Sequence, residues 1–282
     1  MAEFTQTAGR AKALIFVLVA LTAALMSQIV HEMTHALAMW TVGNGVEVIQ
    51  LFAVKGVPVV DEGAQLVVSG SAAIVNVVFG IVAVVVFHSG LVRDKVWARL
   101  LTMYIAAYML MTGFGYFFVD ALFYAPDAPF FPDWQYVIHT LGGGWEVRLP
   151  LLVVGTVGSL GVFFWLPNSA LRFVSAPTEK DVRQREMLLL ALVPYLAVNG
   201  ILTVLGFSHP LGVQGVVTVI FQYWFGYIAL FWAYFIGGMW TDVKANFADA
   251  SVIPAPTLPL WLMGLAAMWG AIAFLMLFSV GG

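Results

Sequence analysis

Residues 13–42 read ALIFVLVALTAALMSQIVHEMTHALAMWTV. Apart from the stretch His31-Glu32-Met33-Thr34-His35 and a few uncharged polar residues such as Gln28, the run is apolar, and at about 1.5 Å per residue it is long enough to cross a hydrocarbon core of about 30 Å. The reading is a membrane-spanning helix, and it decides the fold class. Arg10 and Lys12 precede the run, and no small-residue cleavage site closes it. The expectation is therefore an uncleaved signal-anchor helix.

The rest of the chain has the same character. It is 62% hydrophobic and 10% charged, against about 25% charged in a typical soluble domain. Further apolar runs at 64–88, 97–125, 149–166, 186–206, 215–240 and 257–280 bring the expected crossings to seven. Between the first two runs, Val46 to Phe52 and Val57 to Val60 flank Lys55-Gly56, which predicts a short β-hairpin turning at that pair. The segment 126–148, with three prolines and Gly142-Gly143-Gly144, reads as an irregular loop, and Pro167 to Arg185 as a polar connector. The predicted fold is all-α, a multi-pass transmembrane helical bundle with a β-hairpin between its first two helices. Residues 1–125 form its core, and 126–282 add four helices to the same membrane domain.

Composition also excludes functions. A net charge of −3 with no basic patch offers no footprint for nucleic acid. With no cysteine there is no disulfide, thiolate nucleophile or Cys-type zinc site, so any metal is held by His, Asp or Glu. The basic residues cluster on alternate sides of the expected spans, which predicts a cytoplasmic N-terminus.

Two histidines and a glutamate within an apolar helix are costly unless they have a task. Positions four apart share a helix face, so His31 and His35 can both offer a ring nitrogen to one ion. Glu32 lies beside them without having to ligate. That is the arrangement a zinc hydrolase needs: two neutral imidazoles on the metal, and a carboxylate to take a proton from the attacking water. The competing reading, polar contacts between helices, leaves three ionisable groups buried without a partner. A catalytic zinc usually has a third protein ligand. Asp120, the carboxylate within the third apolar run, is the first candidate: by residue count from the basic ends, His31 and Asp120 reach similar depths in the outer half of the membrane. Asp127, Asp133 and His139 are weaker rivals, read as solvated loop residues. Asn76 and Gln28 are further substrate-binding candidates: Asn76 can hydrogen-bond a substrate or support a ligand, and Gln28, one turn before His31, can orient Glu32 or His31, though both also suit interhelical hydrogen bonding.

In these features the chain resembles the site-2 protease family of intramembrane zinc metalloproteases. The family has HExxH on one transmembrane helix, a membrane-associated β-hairpin after it, and an aspartate ligand in an LDG motif two helices later. HEMTH at 31–35, the hairpin at 46–60 and Asp120 follow that order, and Ser69 to Asn76 looks like a degenerate GPxAN-type segment. The likeness covers about the first 125 residues; Asp120 stands in Val-Asp-Ala rather than LDG. It implies Zn2+ as cofactor, His31, His35 and Asp120 as ligands, Glu32 as general base, and membrane-associated peptides as substrates. It also implies a multi-pass protein of a prokaryotic plasma membrane, although family members place the zinc nearer the cytosol than the charge count does here. The alternative is a non-catalytic membrane protein, a metal carrier or partner-binding scaffold, that retains a degenerate site.

Overall fold

The computed structural model describes residues 2–57, 61–127, 133–207, 212–240 and 264. Helix α1 (Ala2–Thr41) leads into a two-stranded antiparallel sheet, β1 (Val46–Gln50) and β2 (Ala53–Gly56), followed by α2 (Glu62–His88) and α3 (Val96–Leu122). A short helix, α4 (Asp133–Thr140), precedes α5 (Trp145–Ala170). Then α6 (Lys180–Met187) runs through a π-type turn into α7 (Val193–Gly206), and α8 (Val213–Gly226) and α9 (Ile228–Ala233) complete the described helices. Six of the resulting helical rods are long and apolar enough to cross a membrane. The protein is thus the expected all-α multi-pass bundle with a hairpin after its first helix. The seventh expected crossing, 257–280, lies outside the described residues, apart from Gly264.

The bundle is organised around α1 and α3. Leu21 and Leu25 of α1 pack with Leu100, Tyr104 and Tyr108 of α3 and with Val198 and Leu202 of α7 in one continuous core. Large apolar residues such as Val85, Val157 and Phe164 remain exposed on the outer faces of α2 and α5, as suits helices whose solvent is lipid. Close approach of α2 to α3 depends on glycine. A Cβ at Gly113 would lie 2.5 Å from Val77 and 2.7 Å from the Ala73 carbonyl oxygen, and one at Gly80 would lie 2.6 Å from Leu110.

Two local expectations are corrected. The hairpin turns at Leu51-Phe52, with Gln50 paired to Ala53 and Val46 to Gly56, so Lys55-Gly56 belongs to β2 rather than to the turn. Tertiary packing overrides turn chemistry here: Leu51 is buried, and Phe52 lies against Tyr223 with ring centroids 6.0 Å apart. Gly56 is required because a Cβ there would lie 2.3 Å from both the Gly45 carbonyl oxygen and Met39. Residues 58–60, the other half of the expected second strand, lie outside the described residues. The second correction is that the segment read as an irregular loop contains α4, which packs against α2 and α3.

Candidate metal centre

Helical spacing puts His31 and His35 of α1 on one face, with ring centroids 4.9 Å apart and planes at 79°. A carbonyl oxygen only accepts, so His35 Nδ1, 2.8 Å from the Val68 oxygen of α2, carries a hydrogen and donates it. That bond fixes the tautomer and leaves Nε2 to face inward. The His31 ring is held differently, stacked on Tyr116 of α3 at 4.9 Å and 12°.

The two inward-facing nitrogens meet a carboxylate from α4. His31 Nε2 lies 3.0 Å from Asp133 Oδ2, His35 Nε2 lies 3.3 Å from it, and the two nitrogens are 3.3 Å apart. Among the described residues these three make up a group able to hold a metal ion. Their spacing fits one: ligand atoms bound tetrahedrally at about 2.0–2.1 Å lie about 3.3 Å from one another. The donor chemistry agrees. Neutral His35 presents a lone pair at Nε2 towards a carboxylate oxygen, and two acceptors at that distance repel unless a positive charge, a second proton or a metal ion, lies between them. Burial opposes charge on Asp133, but when a proton rather than a metal ion fills the gap, the charge on His35 and the hydrogen bonds from His31 and His35 outweigh burial and hold its carboxyl well below the usual carboxylate range.

Asp120, expected as the third ligand, lines the same cavity but is not in the group whose ligand atoms lie within 4.8 Å of one another. It is buried, and its Oδ2 accepts from the backbone N–H of Trp134 at 3.1 Å. The carboxylate therefore caps the first turn of α4, where unpaired N–H groups and the positive end of the helix favour an anion. Its neighbour in that turn, Asp133, is thereby held against α1. A carboxylate occupied by a helix cap has less freedom to serve an ion, which is why Asp133 replaces it beside the nitrogens.

Glu32 lines the adjoining cavity. Its Oε1 accepts from Gln28 Nε2 at 2.8 Å, and Gln28 Oε1 accepts from Gln222 Nε2 of α8 at 3.5 Å. Gln28 thus orients Glu32, as one of its two expected roles has it, and does not line the cavity, so its position does not give it the substrate contact. The substrate-binding expectation for Asn76 is corrected: it is fully buried between α1 and α2, donates to Ser27 Oγ at 3.5 Å, and stands off the cavity wall.

The cavity has a volume of about 330 Å³, near the lower end of the range for small-ligand sites. His31, Glu32, His35, Asp120 and Asp133 line it, together with apolar residues such as Val54 of β2 and Phe221 of α8. Sequence reasoning ranked Asp133 behind Asp120, as a solvated loop residue, and did not single out Tyr116 as a member of this site. For Asp133 a signal existed: Pro132-Asp133 before Val137 and Ile138 is a helix start with an acidic first turn and apolar residues one turn on.

Set against known protein families, characterised proteins and solved structures, the chain matches none.

Proposed function

We propose that this protein is a zinc-dependent peptidase that hydrolyses peptide bonds of membrane-associated substrates, with His31, His35 and Asp133 as metal ligands and Glu32 as general base. One observation carries the reading. Three ligand atoms converge at tetrahedral spacing beside a carboxylate that does not join them but faces the same cavity. In a carrier such a carboxylate would be expected to belong to a relay of ionisable groups along the pathway, whereas among the described residues it stands beside a single cavity. A zinc hydrolase requires such a carboxylate.

When bound, the ion supplies Lewis acidity and lowers the pKa of a coordinated water towards about 7. The chain's own residues do the rest. The water oxygen forms a bond to the peptide carbonyl carbon as its proton passes to Glu32. The C–N bond then breaks, and Glu32 returns the proton to the departing nitrogen, leaving a carboxylic acid and an amine. Gln28 holds one carboxylate oxygen of Glu32 in place throughout, leaving the other for proton transfer.

The hairpin supports a peptide as the substrate. Ala53 and Val54 of β2 line the cavity, and a two-stranded sheet leaves one edge of β2 unpaired among the described residues. An extended segment can add to such an edge through main-chain hydrogen bonds, which also keeps the scissile carbonyl out of a helix. The apolar wall formed by Met39, Phe52, Val54 and Phe221 favours apolar side chains on either side of the bond.

The test is Glu32→Gln in detergent-purified, zinc-loaded protein. The variant is expected to retain about one zinc per chain while cleavage of an apolar quenched-fluorescence peptide falls by at least about 100-fold. Undiminished cleavage in the variant would overturn the enzymatic reading.

A further inference from the structure

The hydrolytic reading leaves one charge without a stabiliser from the chain. When the carbonyl carbon is attacked, its π bond becomes a lone pair on oxygen, and preorganised hydrogen-bond donors aimed at that oxygen usually supply a large share of the acceleration. We infer that Tyr116 is this donor, a further catalytic residue of the peptidase proposed above.

Three observations converge on it. Tyr116 lines the cavity, on the helix turn preceding Asp120. Its ring lies flat on that of His31, 4.9 Å away at 12°, which fixes it beside a nitrogen of the metal centre. The carboxylates of Glu32, Asp120 and Asp133 line the same cavity as Tyr116.

The other long polar side chains of the wall are tethered. Thr112 Oγ1 donates to the Tyr227 hydroxyl at 3.5 Å. The Gln65 amide donates to Ser69 Oγ at 3.0 Å, and the Gln222 amide to Gln28 at 3.5 Å. No hydrogen bond fixes the Tyr116 hydroxyl among the described residues. Packing alone gives no reason for that hydroxyl either, since Phe114 and Phe117 fill neighbouring positions of the same helix without one. In the reaction Tyr116 donates a hydrogen bond and keeps its proton. The proton balance remains with the water and Glu32.

The experiment compares wild type, Tyr116→Phe, Tyr223→Phe and Glu32→Gln, all zinc-loaded. Tyr223 is a second buried tyrosine, whose hydroxyl has no partner among the described residues and which stands off the cavity wall, so it controls for loss of any buried hydroxyl. With the apolar quenched-fluorescence peptide, Tyr116→Phe is expected to lose about 100-fold in kcat with KM within about twofold. Zinc stoichiometry and the visible absorption of the cobalt-substituted protein should be unchanged, because the ring that packs on His31 remains. A phosphinic peptide, whose tetrahedral oxygens imitate the attacked carbonyl, should bind Tyr116→Phe about 100-fold more weakly by calorimetry, and Tyr223→Phe as tightly as wild type.

If wild type cleaves and Tyr116→Phe keeps kcat within about threefold, or binds the phosphinic peptide equally well, Tyr116 has no such role and the peptidase reading stands. If wild type neither cleaves faster than Glu32→Gln nor binds the phosphinic peptide, the peptidase reading fails and the role of Tyr116 fails with it.

Discussion

At the scale of single residues, Asp133 and Asp120 divide two tasks that either carboxylate has the chemistry to perform. Asp133 faces both ring nitrogens, whereas Asp120 accepts from the Trp134 backbone and so holds the turn that carries Asp133. Removing a ligand leaves two imidazoles, too few for a tight site. Removing the cap loosens the ligand without deleting it, an outer-shell effect typically worth about 10- to 100-fold in affinity. Elemental analysis is therefore expected to find no stoichiometric zinc in Asp133→Ala. Asp120→Ala should retain about one zinc per chain, with a Kd raised by about 10- to 100-fold. The reverse pattern, zinc kept in Asp133→Ala and lost in Asp120→Ala, would make Asp120 the ligand.

At the scale of elements, the candidate metal centre depends on where α2 lies, because Val68 of α2 holds His35 of α1 and α2 is itself seated on α3. Gly113 is where that seating is tightest against backbone, with the Ala73 carbonyl oxygen 2.7 Å and the Val77 nitrogen 3.0 Å from where a Cβ would stand. Gly113→Ala forces the two helices apart at an expected cost of about 1–3 kcal/mol, the usual penalty for overpacking. Its thermal midpoint in detergent should fall and its zinc affinity with it. Gly161 on α5 has nothing within 4 Å of its Cβ position. Gly161→Ala should hold or slightly raise the midpoint, since alanine costs a helix less entropy than glycine. Equal midpoints for the two variants would show that the α2–α3 spacing is not limiting. This element-scale coupling also explains what was legible beforehand. The spans could be read because about 20 consecutive apolar residues announce themselves locally, and His31 and His35 because their spacing is a property of one helix. Asp133 meets them across 98 and 102 residues of chain. Its place is a property of α4 docking on α2 and α3, which local pattern does not encode. The hairpin was legible as a hairpin but not in register, because Phe52 at its turn is held by Tyr223 from α8 rather than by turn chemistry.

At the scale of the whole molecule, the site is assembled from both halves of the chain: α1 gives His31, Glu32 and His35, α4 gives Asp133, and α8 part of the cavity wall and Gln222. A metal ion bound there ties α4 to α1, and it also relieves the confrontation between the His35 lone pair and the Asp133 carboxylate. Because the ligand set exists only in the folded chain, ion binding should stabilise the fold by about 2.7 kcal/mol at 100 times Kd and about 4.1 kcal/mol at 1,000 times Kd. For a chain of this size that corresponds to a rise in thermal midpoint of roughly 5–15 °C. The ten tryptophans provide the signal. Intrinsic fluorescence should report a higher midpoint in zinc than in chelator for wild type, and no zinc-dependent difference for Asp133→Ala. The chelated midpoints of the two proteins separate the effects further. Asp133→Ala removes a half-buried carboxylate that two buried imidazoles already need as a partner, so it should melt below chelated wild type, and zinc should not restore it. A wild-type midpoint indifferent to zinc would mean that the convergence of His31, His35 and Asp133 is satisfied by a proton, and that the three serve packing rather than metal.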